Sequence, residues 1–214
     1  MKSVVLFVVF LGTSAIFLVS THARMPVSTC APNTTEETDM HNLRDKLARH
    51  ELDSHALAKA QQELGHASLC PNANRPWIAE LMRLLADNWQ RTGQLTLADS
   101  TLETAFKLVR ADHSKFLQQI AILRDWSELR LEQHNSSSAI NMAHHQAVLA
   151  RAAYAEGTFS AGLYASSLDF EASVFDRIGD EAKANELRAQ ARSVRTVEPV
   201  CSANCLVYGQ PHSR

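Results

Sequence analysis

Two histidines beside a short acidic run are the first residues whose types suggest metal chemistry. His50 and His55 flank Glu51 and Asp53, which is close to a pattern that binds zinc. Zinc binding from one helix needs histidines four residues apart on one face, whereas a spacing of five places them about 140° apart around the helix. The segment also falls at a predicted turn. We therefore expect no metal site here.

The other candidate groups lack the spacing or the context that their chemistry needs. His144 and His145 are adjacent, so on a helix their side chains point about 100° apart. The run 136–138 is all serine but has no glycine turn of the kind that presents a nucleophile, and glycine-rich phosphate loops are absent. We predict no catalytic residue, no metal and no cofactor. The alternative is a small enzyme with a dispersed site built from residues such as Asp87, Asp125 and His144.

The composition indicates which secondary structure must position any functional site. The chain has 214 residues, of which 45% are hydrophobic and 21% are charged, and its formal net charge is −2. This balance excludes a disordered protein of the charged-tail type, and the chain has no run of basic residues that would bind nucleic acid. Only 7 glycines and 6 prolines are present, so a helical fold is favoured over many short strands with tight turns.

Residues 1–23 have the pattern of an export signal. Lys2 supplies a positive charge, residues 4–19 form a mainly apolar run, and Thr21 and Ala23 place small residues where a signal peptidase reads them. We predict cleavage after Ala23 and export to the periplasm or the extracellular space. The alternative is an uncleaved N-terminal membrane anchor.

All four cysteines follow the predicted cleavage site. An even number of cysteines in an exported chain predicts disulfides. We favour Cys30–Cys70, which would tie an N-terminal arm to a loop, and Cys201–Cys205 in the C-terminal tail. The last two also begin an iron–sulfur pattern, but Tyr208 stands where a third cysteine would be needed. Four reduced thiols are the alternative.

One spacing of residue types recurs along the chain and indicates a structural repeat. Small residues, a large aromatic residue and a glycine follow one another at the same intervals in two places, at 86–105 and at 172–191. These two sets are 86 residues apart. Weaker matches lie 42 residues after the first set and 42 residues before it, so four units share one register. The two clear sets are Ala86, Trp89, Gly93, Ala98 and Ala105, and Ala172, Phe175, Gly179, Ala184 and Ala191.

Apolar periodicity, caps and glycines predict two helices in each unit. Pro76 suits a first helical turn, Gly93 and Gly179 suit helix ends, and Asp180 is a predicted N-cap. The repeated alanines are expected where two helices approach closely. The predicted helices cover residues 39–50, 53–67, 76–92, 95–111, 114–133, 137–155, 159–177 and 180–195.

These units predict an all-α fold, a right-handed α-α solenoid of about four helix hairpins. A HEAT-like or irregular helical repeat and a single closed helical bundle are the alternatives. We divide the chain into a signal peptide at 1–23, an N-terminal arm at 24–38, a helical repeat domain at 39–195 and an irregular C-terminal tail at 196–214.

The pattern Met82-x2-Leu85-Ala86-x2-Trp89-x3-Gly93, continued to Ala105 and repeated over 168–191, resembles a tetratricopeptide repeat. The resemblance covers about residues 40–195. It implies that the first helix of each unit lines a concave groove that holds a peptide or a partner helix. The groove positions it implies are Asp45, Arg49, Arg83, Asp87, Gln90, Arg91, Asp125, Leu129, Glu132, Asp169, Ser173, Asp176 and Arg177.

The resemblance implies a non-enzymatic scaffold or adaptor that binds another protein, and the segment 1–23 adds that it is exported. One alternative is a membrane-anchored, self-associating subunit of an envelope complex, which would associate through the apolar face of the last helix pair; a small enzyme is the other. Two segments, Asn33-Thr34-Thr35 and Asn135-Ser136-Ser137, match the N-glycosylation pattern, which has meaning only in a eukaryotic host.

Overall fold

Eight α-helices follow one another in the computed structural model, which describes residues 34–70 and 73–196. The predicted signal peptide, nearly all of the predicted tail, and the cysteines other than Cys70 lie outside these residues. No strand occurs within the described ranges, so this part of the chain is all-α. The helices are α1 (Thr34–Ala48), α2 (Ser54–Ser68), α3 (Arg75–Arg91), α4 (Leu95–Val109), α5 (Phe116–Glu132), α6 (Ser136–Ala155), α7 (Ala161–Ile178) and α8 (Glu181–Thr196).

Side-chain caps and a glycine explain where several helices begin and end. The Asp53 carboxylate accepts a hydrogen bond of 2.8 Å from the Ala56 amide at the start of α2. Asn135 and Ser160 cap α6 and α7 in the same way. Gly179 ends α7 with φ of 88°, and Asp180 then accepts a hydrogen bond of 3.0 Å from the Lys183 amide. The predicted roles of Gly179 and Asp180 are confirmed.

The first helix starts well before its predicted position, and α5 starts two residues after its own. The first helix begins at Thr34 rather than at residue 39, so residues 34–38 of the predicted arm are helical. Ser114 does not start α5, because a 3₁₀ turn at His113–Lys115 comes first. The Asp112 carboxylate accepts hydrogen bonds from the Ser114 amide at 2.9 Å and from its hydroxyl at 2.7 Å. Such local bonds compete with the helix, which therefore starts at Phe116.

From α2 onwards, each helix packs mainly on its neighbours in the chain, which gives a solenoid-like stack of helix pairs. Helices α3 and α4, α5 and α6, and α7 and α8 form three close pairs. The first unit differs, because α1 and α2 each make more contacts with α3 than with one another. The repeated alanines are buried in these contacts, as predicted, and so is Trp89.

A buried serine accounts for the weak match of the third unit. Ser127 occupies the position equivalent to Leu85 one repeat later, where the pattern has an apolar side chain. Its hydroxyl is fully buried and donates a hydrogen bond of 2.9 Å to the carbonyl oxygen of Ala139 in the first turn of α6. A buried hydroxyl with a partner carries little penalty, so the unit keeps its fold despite the polar residue.

The apolar face expected on the last helix pair is absent from its outermost helix. The buried residues of α8 are Ala184, Leu187 and Ala191, which pack inwards, and its exposed side chains are polar or alanine. Helix α8 thus adds no exposed large apolar side chain to the surface predicted for self-association, which stays a prediction. Across the described ranges, no helix combines the length and the hydropathy needed to cross a bilayer.

Candidate binding groove between the first helices of the units

Three hydrogen bonds join α3 to α5, and each links residues that are 42 positions apart. The Arg83 guanidinium donates to the Asp125 carboxylate at 2.7 Å. Two turns along, the Gln90 amide donates to the Glu132 carboxylate at 2.6 Å. At the other end, Gln118 donates to the carbonyl oxygen of Pro76. The repeat period found in the sequence is therefore also the register in which these two helices lie side by side.

A polar cavity of about 360 Å³ opens along this seam. Three carboxylates and one guanidinium surround it, and two leucines form its apolar part. Four of its seven lining residues were predicted groove positions. The lining residues are Arg83, Leu84, Asp87, Gln90, Leu102, Asp125 and Glu128.

Arg83 is the central charge of this groove. It donates to Glu80 on its own helix through Nε at 3.0 Å and through a terminal nitrogen at 2.9 Å, and the other terminal nitrogen bonds Asp125. The hydrogen bond to Glu80 raises the pKa of the guanidinium above its ordinary value. Arg83 is therefore a fixed cation whose three donors are directed at two carboxylates on different helices.

Asp125 lies where a negative charge is unfavourable. Burial raises the pKa of its carboxyl, the hydrogen bond from Arg83 opposes this shift, and the nearby charge of Asp87 raises the pKa further. One guanidinium thus does not offset both the lost hydration of Asp125 and the charge of Asp87.

A second network connects the groove to the first helix. Asn88 is buried, and its amide nitrogen donates to the carbonyl oxygens of Leu47 in α1 at 2.9 Å and Leu84 in α3 at 2.8 Å. Its oxygen lies 3.3 Å from Nδ1 of His50, which has a φ of 54°, and Nε2 of His50 lies 3.6 Å from Asp87. The position of α1 is thereby tied to a lining residue of the cavity.

The predicted groove residues fall into two groups, those that adjoin the cavity and those that pair with α8. Arg91 pairs with Asp87 at 3.4 Å, and Arg177 of α7 pairs with Glu128 of α5, so both adjoin the cavity residues. In α7, Asp169 and Asp176 instead pair with Arg195 and Arg188 of α8, so they brace the last pair rather than line the cavity. Both lie outside the cavity lining, and their place in a binding groove stays a prediction.

The remaining predicted positions lie elsewhere. Leu129 is fully buried and belongs to the core. The Ser173 hydroxyl donates to the Phe170 carbonyl of its own helix, and Arg49 pairs with Glu51 just after α1. Asp45 is exposed on α1 and does not line the cavity.

Sequence analysis missed Glu80, Leu84, Leu102 and Glu128. The two glutamates lie one turn from Arg83 and Asp125, a spacing at which helical side chains meet, so charge pairing along the helix could have found them. The leucines gave no such signal, because each matches the apolar pattern of a core residue. Leu102 belongs to the second helix of its unit and reaches the cavity only through the packing of α4 against α3.

The histidines considered for chemistry have other partners. His144 bonds the buried Glu171 at 3.0 Å, and His145 stacks edge-on against Phe106 with ring centres 5.5 Å apart. Burial lowers the pKa of His145, and the adjacent His144 lowers it further. Within residues 34–70 and 73–196, no cluster of three or more histidine, cysteine, aspartate or glutamate residues could hold a metal ion.

Cys70 lies just after α2, with its sulfur 4.0 Å from the carbonyl oxygen of His66. Cys70 has a bonding or contact partner in the structure, so its thiol is not free. Cys30, Cys201 and Cys205 lie outside the described residues, so the pairings Cys30–Cys70 and Cys201–Cys205 stay predictions.

Comparison with known proteins assigns no family to the chain. No protein-family model matches it, and no curated protein matches it significantly. Function must therefore be inferred from the groove.

Proposed function

We propose that the chain is an exported, non-enzymatic helical-repeat protein that binds a peptide or a helix of another protein along the groove between α3 and α5. The observation that supports it most directly is the pair of bonds Arg83–Asp125 and Gln90–Glu132, which hold equivalent positions of two units beside one cavity. The tetratricopeptide-like pattern and the apolar segment at 4–19 support the repeat and export parts of the proposal.

The size and lining of the cavity favour a side chain of a partner over a whole small molecule. Its volume of about 360 Å³ lies near the lower end of ligand pockets, which span about 300–1,000 Å³. Each of its polar side chains already has a hydrogen-bond or ion-pair partner, in or beside the cavity, so binding would cost little additional side-chain entropy. Leu84 and Leu102 offer apolar contact beside these charges.

The experiment begins with cross-linking of the tagged protein in its native compartment, followed by purification of the partner. Binding of the purified partner is then compared for Asp87→Lys and Glu103→Lys. Asp87 lines the cavity, whereas Glu103 lies on α4 away from it, and each has a cation four residues later, Arg91 at 3.4 Å or Lys107 at 2.5 Å. The two substitutions therefore make the same charge change in matched settings.

We expect Asp87→Lys to weaken binding at least tenfold and Glu103→Lys to leave it within about twofold, since truncating or reversing a contact at the centre of an interface costs about 2 kcal/mol or more. Equal effects of both variants would contradict the groove assignment. Recovery of the protein itself as the sole cross-linked species would favour the self-associating alternative.

A further inference from the structure

We infer that Asn135 is an N-glycosylation site, at which the chain accepts an oligosaccharide in a eukaryotic secretory pathway. The inference uses the export part of the proposed function and is independent of the groove. It starts from Asn135-Ser136-Ser137, which has the required asparagine and the required hydroxyl residue two positions later.

Asn135 lies in the turn between α5 and α6, Ser136 and Ser137 begin α6, and all three residues are exposed. The turn contains His134 with φ of 57°, and Asn135 follows it as the N-cap of α6. A glycosylated asparagine must present its amide at the surface, because the attached sugar is bulky and hydrated. This turn meets that condition without any change in helix packing.

The two ends of the Asn135 amide have separate roles. Its oxygen accepts from the Ser138 amide and from the Ser137 hydroxyl, both at 3.2 Å, so the oxygen supplies the helix cap. Across the described part of the chain, its nitrogen donates no hydrogen bond. A sugar on the nitrogen would therefore leave the cap in place.

The transfer needs a lipid-linked oligosaccharide diphosphate as donor, together with the transferase of the secretory membrane. The bond between the first sugar carbon and the diphosphate oxygen breaks, and a bond between that carbon and Nδ2 of Asn135 forms. The amide nitrogen releases one proton to the solvent, and the lipid diphosphate leaves with the electron pair of the broken bond. No oxidation or reduction occurs in this step.

Asn74 provides a matched internal control. It is also exposed and also caps a helix, with its oxygen accepting from the Trp77 amide at 3.2 Å. Proline occupies the position two residues later, where the acceptor pattern needs serine or threonine. Asn74 therefore has the exposure and the cap geometry of Asn135 but lacks the pattern.

The test expresses the full chain in a eukaryotic cell line, once with its own segment 1–23 and once with the leader of a protein known to be secreted there. All versions carry Asn33→Gln, which removes the other sequence match. Mass is measured before and after peptide N-glycosidase treatment, on chain retained in the cell and on chain released. The variants are Asn135→Asp and Ser137→Ala, with Asn74→Asp as the control.

We expect the version with the known leader to lose the mass of one glycan on enzyme treatment. Asn135→Asp, which preserves a good N-cap, and Ser137→Ala should each abolish this shift, and Asn74→Asp should leave it unchanged. An unmodified chain with the known leader, or a glycan that persists in Asn135→Asp, would overturn the inference. A glycan with the known leader but not with the native segment 1–23 would instead count against the export signal alone.

Discussion

Arg83 and Asp125 are 42 positions apart in the sequence and 2.7 Å apart in the fold. Their ion pair therefore joins equivalent positions of two successive units. Because Gln90 and Glu132 repeat the relation at 2.6 Å, the interface between α3 and α5 has the register of the repeat itself. The groove is thus a consequence of repetition, with a cation from one unit facing an anion from the next.

Replacing the buried Asn88 should loosen the contact of α1 with α3. Asn88→Ala removes two hydrogen bonds and leaves the Leu47 carbonyl at the helix end without its side-chain partner. We expect a loss of about 1–3 kcal/mol in the free energy of unfolding, measured by chemical denaturation. Asn141→Ala, at an exposed position on α6, should change stability by no more than about 0.5 kcal/mol. Equal losses in the two variants would show that the bonds of Asn88 contribute nothing specific.

Replacing Gly179 and Gly65 with alanine should change the stability of the protein in opposite directions. An added Cβ would meet no atom within 4 Å at either position, so backbone conformation alone decides the outcome. Gly179 has φ of 88°, where alanine costs about 1–2 kcal/mol. Gly65 is helical, so Gly65→Ala should stabilise the protein by about 0.4–1 kcal/mol. Thermal unfolding of both variants measures whether each substitution stabilises the protein. A stabilising Gly179→Ala would contradict the role of Gly179 as the left-handed residue that ends α7.

The small side chains of α6 should tolerate no enlargement where they are buried. Ala150 is fully buried in the cluster that contains Ala165 and Leu168 of α7. Ala150→Leu should cost about 1–3 kcal/mol, because a well-packed core admits extra methylenes only by strain. Ala189→Leu, at an exposed position on α8, is the size-matched control and should be nearly neutral. Denaturation midpoints compare the two, and an equally mild Ala150→Leu would show that these helices are not in close contact.

Asp125→Asn should alter how stability depends on pH. Because burial raises the pKa of Asp125 above its ordinary value of 3.8, the folded state binds this proton more tightly than the unfolded state does. The contribution of Asp125 to stability is therefore full below 3.8 and is lost as the pH rises through the folded pKa. Asparagine does not titrate. We therefore expect the stability of Asp125→Asn relative to the unsubstituted protein to rise with pH above 3.8.

Asp112→Asn is the control for this titration, because its shift has the opposite sign. The hydrogen bond from the Ser114 hydroxyl lowers the pKa of Asp112 below 3.8. Its contribution is present above 3.8 and is lost as the pH falls through the folded pKa. The stability of Asp112→Asn relative to the unsubstituted protein should therefore fall as pH rises towards 3.8. Denaturation at a series of pH values gives both slopes, and slopes of one sign would contradict the burial of Asp125.

The amino-acid sequence alone determined the helices and the period of the stack. Helix spacing, capping residues and glycines act over a few neighbouring residues, so α2 to α8 begin and end close to the predicted positions. The interval between Arg83 and Asp125 was also visible, because it equals the repeat period and equivalent positions of a repeat carry the same contacts with their neighbours.

Only the tertiary structure decided which side chains share the groove. Asp169 and Asp176 of α7 pair with arginines of α8, although their positions in the repeat match those of Asp125 and Glu132 in α5. The packing of α4 against α3 brings Leu102 to the cavity. Asp45 lies outside the cavity, in a first unit whose two helices contact α3 more than one another. These choices depend on how whole helices pack, which a local pattern of residue types does not encode.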